Sequence, residues 1–196
     1  GPTVADDIKV SAFYAAIFAL LLIFLYIFIR FSKWQYSAGA VGALVSSPGS
    51  LDLPQLVVAD TQRGLGLLGA YNRSLYTGPL VAITGSNGKT TTKELIAAVL
   101  QKKHNLLYTS GNLNNHIGVP LTILRINKQH QMALIEMGAN HQKEIAFLCT
   151  LAEPDFGYIT NFGKAHLEGF GGVQGVIKGK SELYDHLIAR EKLIFF

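Results

Sequence analysis

Ile83-Thr84-Gly85-Ser86-Asn87-Gly88-Lys89-Thr90-Thr91 stands between a short apolar run, residues 80–84, and a stretch with helical spacing, residues 89–101. A strand that turns through two glycines into a helix reads as a phosphate cradle. Glycines let backbone N–H groups approach phosphate oxygens, and the helix N-terminus favours negative charge. In that setting Gly85, Ser86, Asn87, Gly88 and Thr91 belong to the loop, Lys89 reaches the β- and γ-phosphates, and Thr90 ligates Mg²⁺. The full Walker spacing wants glycine at position 83, where this chain has Ile83, so only the shorter G-x-x-G-K-T holds. A glycine-rich turn with a solvated lysine is the plainer alternative.

Outward from the loop, apolar runs alternate with helical patterns. Residues 106–109, 132–137, 156–160 and 193–196 read as strands. Residues 120–125 fit a helical turn or two, Ile145, Leu148, Cys149 and Ala152 form a helix face capped by Asn140, and 173–187 is a last helix. The helix over 89–101 carries the pairs Leu95/Val99 and Ile96/Leu100. The expected fold is α/β: a P-loop-type, mostly parallel sheet with flanking helices and ligands at the carboxyl ends of its strands.

Three side chains reach that edge. Glu136 closes the strand 132–137 and is followed by Gly138-Ala139-Asn140, while His166 follows the strand 156–160. With Thr90 they make a hard-cation site plausible, Mg²⁺ being the natural ion beside phosphates. Lys180 falls on the apolar stripe Val173, Val176, Ile177, Tyr184 and Leu187 of the last helix, so it faces inward and must snorkel, pair or be modified. Lys178, Glu182 and Asp185 lie off the stripe and read as a solvated face. His104, His116, His130, His141 and His186 show no ligand spacing and read as surface or loop residues, and Cys149 reads as core.

The chain has 196 residues, 49% of them hydrophobic, and two regions of different character. Residues 10–29, VSAFYAAIFALLLIFLYIFI, carry no charge and as a helix would span about 30 Å, the hydrocarbon thickness of a bilayer. Arg30 and Lys33 follow it, which by the positive-inside rule puts the N-terminus outside and the rest in the cytoplasm. We expect one transmembrane segment over 1–45, a linker over 46–55 ending its small-residue run at Ser-Pro-Gly-Ser, and a helical remnant over 56–79 opened by Asp60 and stopped by Gly78-Pro79. Leu65, Leu68, Tyr71 and Leu75 form the apolar stripe of that helix. The net charge of +4 includes no block of Lys or Arg, so no nucleic-acid surface is implied. A single cysteine, Cys149, makes no intrachain disulfide and fits a reducing compartment.

ITGSNGKTTTKE (83–94), GNLNNHIGVPLTIL (111–124), IEMGANHQKEI (135–145) and YITNFGKAHLEGFGG with GVIKGKSEL (158–183) resemble the central ATP-binding domain of the Mur ligases. The resemblance covers roughly 51–196, with the ATP-binding part over 80–196 and incomplete at its C-terminal end. It implies transfer of the ATP γ-phosphate to a carboxylate, then attack of an amine on the acyl phosphate. The GNLNN and EMGAN segments point to the dipeptide-adding branch, whose substrates are UDP-N-acetylmuramoyl-tripeptide and D-alanyl-D-alanine. By position, the resemblance makes Gly85, Ser86, Asn87, Gly88, Lys89, Thr90, Thr91, Asn112, Asn115 and Asn161 nucleotide-binding, with Asn114 in the same loop as Asn112. It makes Thr90, Glu136, His166 and a carbamylated Lys180 the metal ligands, and Lys89, Lys180 and His166 catalytic. Most of the sugar-binding and carboxy-terminal domains of such ligases have no counterpart in these residues. Residues 1–45 resemble a transmembrane segment of the SecD/SecF export family, through the GP-x-V start and the RF-x-x-W end. Two other readings stay open, an export-subunit fragment and a composite chain without turnover.

Overall fold

The computed structural model describes residues 43–50 and 54–196. The expected membrane helix over 10–29 lies outside the described residues. Among those described, no helix is long and apolar enough to cross a membrane. The chain divides into two units at Ala59/Asp60. In the first, β1 (Ala43–Val45) and β2 (Gln55–Val57) pair in parallel. The Gln55 side chain closes the bend between them, accepting from Gly49 N at 2.8 Å and donating to Gly49 O at 2.9 Å. The stretch expected as a linker thus runs into a strand, and helix begins only at Thr61.

The second unit opens with α1 (Thr61–Ser74), whose first turn is capped by Asp60 accepting from Arg63 N at 3.0 Å. The order then runs β3 (Leu80–Thr84), α2 (Lys89–Leu100), β4 (Leu106–Tyr108), α3 (Gly118–Ile123), β5 (Met132–Glu136), α4 (Glu144–Ala152), β6 (Phe156–Ile159), α5 (Leu167–Phe170), α6 (Val173–Ile188) and β7 (Leu193–Phe195). The five strands β3 to β7 form one sheet in the order β4-β5-β3-β6-β7, and every pairing is parallel.

Such a sheet is covered on both faces, so its central strands read as unbroken apolar runs. Every residue of β3 is buried. Leu80 and Ala82 pack with Val119, Ile123, Leu148, Val176, Leu183 and Leu187 from α3, α4 and α6, while Val81 and Ile83 pack against Ala97, Ile96 and Leu100 of α2. Burying one such Leu or Ile side chain is worth roughly 1.5–3 kcal/mol. The chain leaves β3 for the edge strand β4, returns to β5, then crosses to β6 on the other side of β3. The carboxyl end of β3 is therefore the switch point where ligands of open α/β sheets bind.

The helices depart from expectation in three places. In α1 the buried residues are Gly66 and Gly69, whereas Leu68, Tyr71 and Leu75 are exposed. Close backbone approach explains this: a side chain at Gly69 would lie 3.1 Å from Pro120, and one at Gly66 3.5 Å from Leu151. Asn72 donates to Ile123 O at 2.8 Å, so α1 is docked on α3 and α4 as part of the sheet domain, not as a remnant before it. In α2, Leu95 and Val99 are exposed and only the Ile96/Leu100 side meets the sheet. Asn140 does not cap α4. Its backbone N–H donates to Glu144 at 2.7 Å, while Glu182 of α6, expected to be solvated, accepts from Lys143 N and from Ala146 N at 2.9 Å and so caps the helix.

Candidate active site

The phosphate-cradle loop leaves β3 through Gly85 at φ +137°, where a side chain would run into Thr160. Gly88, at φ +77°, turns the chain into the first turn of α2. Both conformations suit glycine for want of a Cβ. The loop is held from the opposite side by the segment following β6. Ser86 N donates to Asn161 O at 3.0 Å and Ser86 Oγ to Gly163 O at 2.9 Å. Asn87 N donates to Asn161 Oδ1 at 3.2 Å, and Asn87 O accepts from Asn161 Nδ2 at 3.0 Å and from Thr160 Oγ1 at 2.6 Å. Asn161 therefore shapes the loop through both ends of its amide. Thr160 and Gly163, which the sequence reading did not single out, do the same work.

Lys89 is half-buried, and its Nζ donates to Gly85 O at 2.9 Å and Ser86 O at 3.2 Å, so the ammonium closes the loop on itself. Burial lowers its pKa from the usual lysine value, against the opposing pull of the Glu136 charge. Thr90 and Thr91 are exposed in the first turn of α2.

Glu136 ends β5 in register with Ile83 and is fully buried. Its Oε1 accepts from Asn114 Nδ2 at 2.8 Å and from Thr90 Oγ1 at 3.3 Å. Its Oε2 is buried and accepts no hydrogen bond. A buried carboxylate oxygen with free lone pairs, beside a threonine hydroxyl at a helix N-terminus, fits a hard divalent cation. Mg²⁺ binds through one or two protein oxygens plus phosphate and water, not through an all-protein cage. Among the described residues no three His, Cys, Asp or Glu side chains converge. His166 is exposed, in the left-handed conformation at φ +53°, and opens α5.

Lys180 is 2% exposed, as its place on the stripe of α6 requires. Its Nζ donates to Ala139 O at 3.0 Å and lies 5.0 Å from the centre of the Phe170 ring. Its pKa is lowered to about 8, first by burial and then by the charge of Lys89, with Glu144 and Glu182 pulling the other way. Lys178 is exposed. Asn112 is exposed, and Asn115 Oδ1 is taken up by Ile117 N and Gly118 N, where it supports the start of α3.

One histidine departs from its sequence reading. His186 is buried on α6 with Nε2 unpartnered, and is not a surface histidine. Lys93, which the sequence does not single out, is fully buried and donates to Gly111 O at 3.0 Å. Its stripe with Ile96, Ala97 and Leu100 is the same signal that located Lys180.

Residues 83–196 match the Mur ligase middle domain. The chain belongs to the Mur ligase family. Over 154 residues it is 50% identical to the UDP-N-acetylmuramoyl-tripeptide--D-alanyl-D-alanine ligase of Escherichia coli (strain K12), an alignment covering 78% of this chain and 34% of that enzyme. Its fold is similar to MurF from Acinetobacter baumannii, with TM-score 0.70 and 47% identity over 74% of this chain and 32% of that one. MurF ligase from Thermotoga maritima, solved in complex with ADP, aligns with TM-score 0.68 and 32% identity, covering 82% of this chain and 37% of that one. The chain thus spans about a third of the length of these relatives. Residues 1–47 match the C-terminal part of the protein export membrane protein SecD/SecF.

Proposed function

We propose that residues 60–196 are the nucleotide-binding part of an ATP-dependent amide ligase that joins D-alanyl-D-alanine to UDP-N-acetylmuramoyl-tripeptide. In that reaction the γ-phosphate passes to the tripeptide carboxylate and ADP leaves. The dipeptide amine then attacks the acyl phosphate, forming the amide and releasing phosphate. The observation that carries the reading is the meeting of Lys89, Thr90 and the buried Glu136 at the carboxyl end of β3. The family match and the substrates named for the relatives supply the rest.

The roles follow from charge. Backbone N–H groups of 85–91 and the α2 N-terminus take the phosphates, and Lys89 exchanges its two carbonyl contacts for phosphate oxygens. Thr90 and Glu136 hold Mg²⁺, which supplies charge neutralisation on the transferred phosphoryl group. Lys180, once carbamylated, adds an anionic ligand, and His166 and Asn112 complete the substrate side if the loops that carry them close over bound nucleotide. Calorimetry of Mg²⁺-ATP binding to the full chain in mild detergent, beside Lys89→Ala, tests the assignment. We expect the variant to lose affinity by at least about tenfold, which is about 1.4 kcal/mol. Equal affinities would sink the phosphate-loop reading.

The apolar run 10–29 is proposed as a bilayer anchor with its N-terminus outside and the ligase part in the cytoplasm. Its support is run length, the Arg30/Lys33 flank and the export-family match of 1–47. Extraction of membranes with alkaline carbonate checks it. An anchored chain stays in the pellet, and release into the supernatant refutes the anchor.

A further inference from the structure

Lys93 sits one helical turn beyond Lys89 on α2, with its side chain fully buried. An ammonium out of water is retained only where opposite charge and hydrogen-bond acceptors replace the lost hydration. Here Gly111 O accepts at 3.0 Å, Glu94 Oε1 lies at 3.0 Å, and the Tyr108 ring centre lies 5.9 Å away. Glu136 Oε2 is the fourth neighbour, at 3.7 Å. That separation is an ion-pair contact but too long for a hydrogen bond. Lys93 therefore balances the buried carboxylate without consuming the lone pairs of Oε2, the same atom that no other donor reaches. Its bond to Gly111 also ties α2 to the loop carrying Asn114, whose amide holds Oε1.

We propose that Lys93 is a positioning residue for the cation site. It holds Glu136 oriented and leaves Oε2 open, so that the divalent ion accompanying the nucleotide meets a free carboxylate oxygen and not a hydrogen-bonded one. The inference rests on the phosphate-loop reading and adds a residue to it. A purely structural lysine would support nucleotide binding equally with and without metal, whereas one acting through Glu136 matters only when the cation is present.

The test is ADP binding by calorimetry to the full chain in mild detergent, with a chelator and with Mg²⁺, for the unmodified protein, Lys93→Met, Glu136→Gln and the double variant. Metal-free affinity in Lys93→Met should stay within about twofold of the unmodified chain, while the gain from Mg²⁺ falls about tenfold. Glu136→Gln should show the same loss, and the double variant no further one, since residues acting as a unit are not additive. Equal losses with and without Mg²⁺, or additive losses in the double variant, overturn the assignment. If Lys93→Met alone fails to fold, the proposal requires the double variant, which removes both charges, to fold. A double variant that also fails overturns it. Absence of ADP binding by the unmodified chain overturns the phosphate-loop reading and this inference together.

Discussion

Lys180 Nζ donates to the backbone carbonyl of Ala139 at 3.0 Å, joining the middle of α6 to the loop that leaves β5. The contact brings a buried ammonium next to the segment following Glu136, and burial together with the Lys89 charge lowers its pKa to about 8. A folded-state value below the unfolded one of 10.5 means that the folded chain binds this proton less tightly. Stability relative to Lys180→Met should therefore rise as pH climbs from about 8 towards 10.5. Denaturant midpoints of both proteins across that window check the sign, and a flat difference refutes it.

The same shift leaves a sizeable fraction of neutral amine near pH 8, and the neutral amine is the form that adds carbon dioxide, forming a carbamate and releasing a proton. Carbon-13 NMR in labelled bicarbonate should show a carbamate carbon that disappears in Lys180→Met and persists in Lys178→Met. Loss of the signal in both variants, or in neither, would separate it from the buried lysine.

Gly85 makes a sharper structural prediction. Its φ of +137° is strained for any other residue, and a Cβ there would meet Thr160 Oγ1 as well as Thr160 N at 3.0 Å and Asn161 N at 3.1 Å. Gly85→Ala should lose about 1–3 kcal/mol of unfolding free energy by denaturant titration. Adding Thr160→Ala should recover only part, because the backbone atoms remain in the way. Full recovery would mean that the hydroxyl contact alone makes the position glycine.

The sheet was legible in the sequence because strands buried on both faces carry unbroken apolar runs, as in residues 80–83 of β3. The turn from β3 into α2 was legible because glycine spacing is a backbone requirement written directly in residue type, as at Gly85 and Gly88. Helix faces were harder to read. The inward side of α1 is Gly66 and Gly69, which carry no hydrophobic signal because they pack by backbone approach, so leucines on the far side dominated the pattern. Lys93 does not stand out in the sequence, and Glu182 reads as solvated, for a related reason. Charge is the usual mark of a solvated face, and only the partner on another element, Glu136 for one and the α4 N-terminus for the other, makes the inward position tolerable. Asn115 and Asn161 show the converse: both amides hold backbone in this structure, which residue type alone does not distinguish from ligand contact.

Asp155 ties three elements at the amino end of the sheet. Its carboxylate accepts from Arg73 Nη2 of α1 at 3.1 Å, from Leu80 N at the start of β3 at 3.1 Å, and from Lys192 Nζ before β7 at 2.7 Å. Burial raises its pKa, but Lys192, the Leu80 N–H and Arg73 together outweigh it, so the net shift is downward from 3.8. The folded chain therefore holds this proton more weakly than the unfolded chain. The stabilisation is full above the unfolded value of 3.8 and is lost as pH falls through the lower folded one. Asp155→Asn should cost about 1.5–3 kcal/mol at neutral pH, the scale of hydrogen bonds to a charged group. The gap to the unmodified chain should close in acid, because protonation of Asp155 removes the same charge that the substitution removes. Denaturant titrations of both proteins at neutral pH and through the acid limb provide the check. A gap that stays constant to the lowest pH would show that Asp155 acts by shape and not by charge.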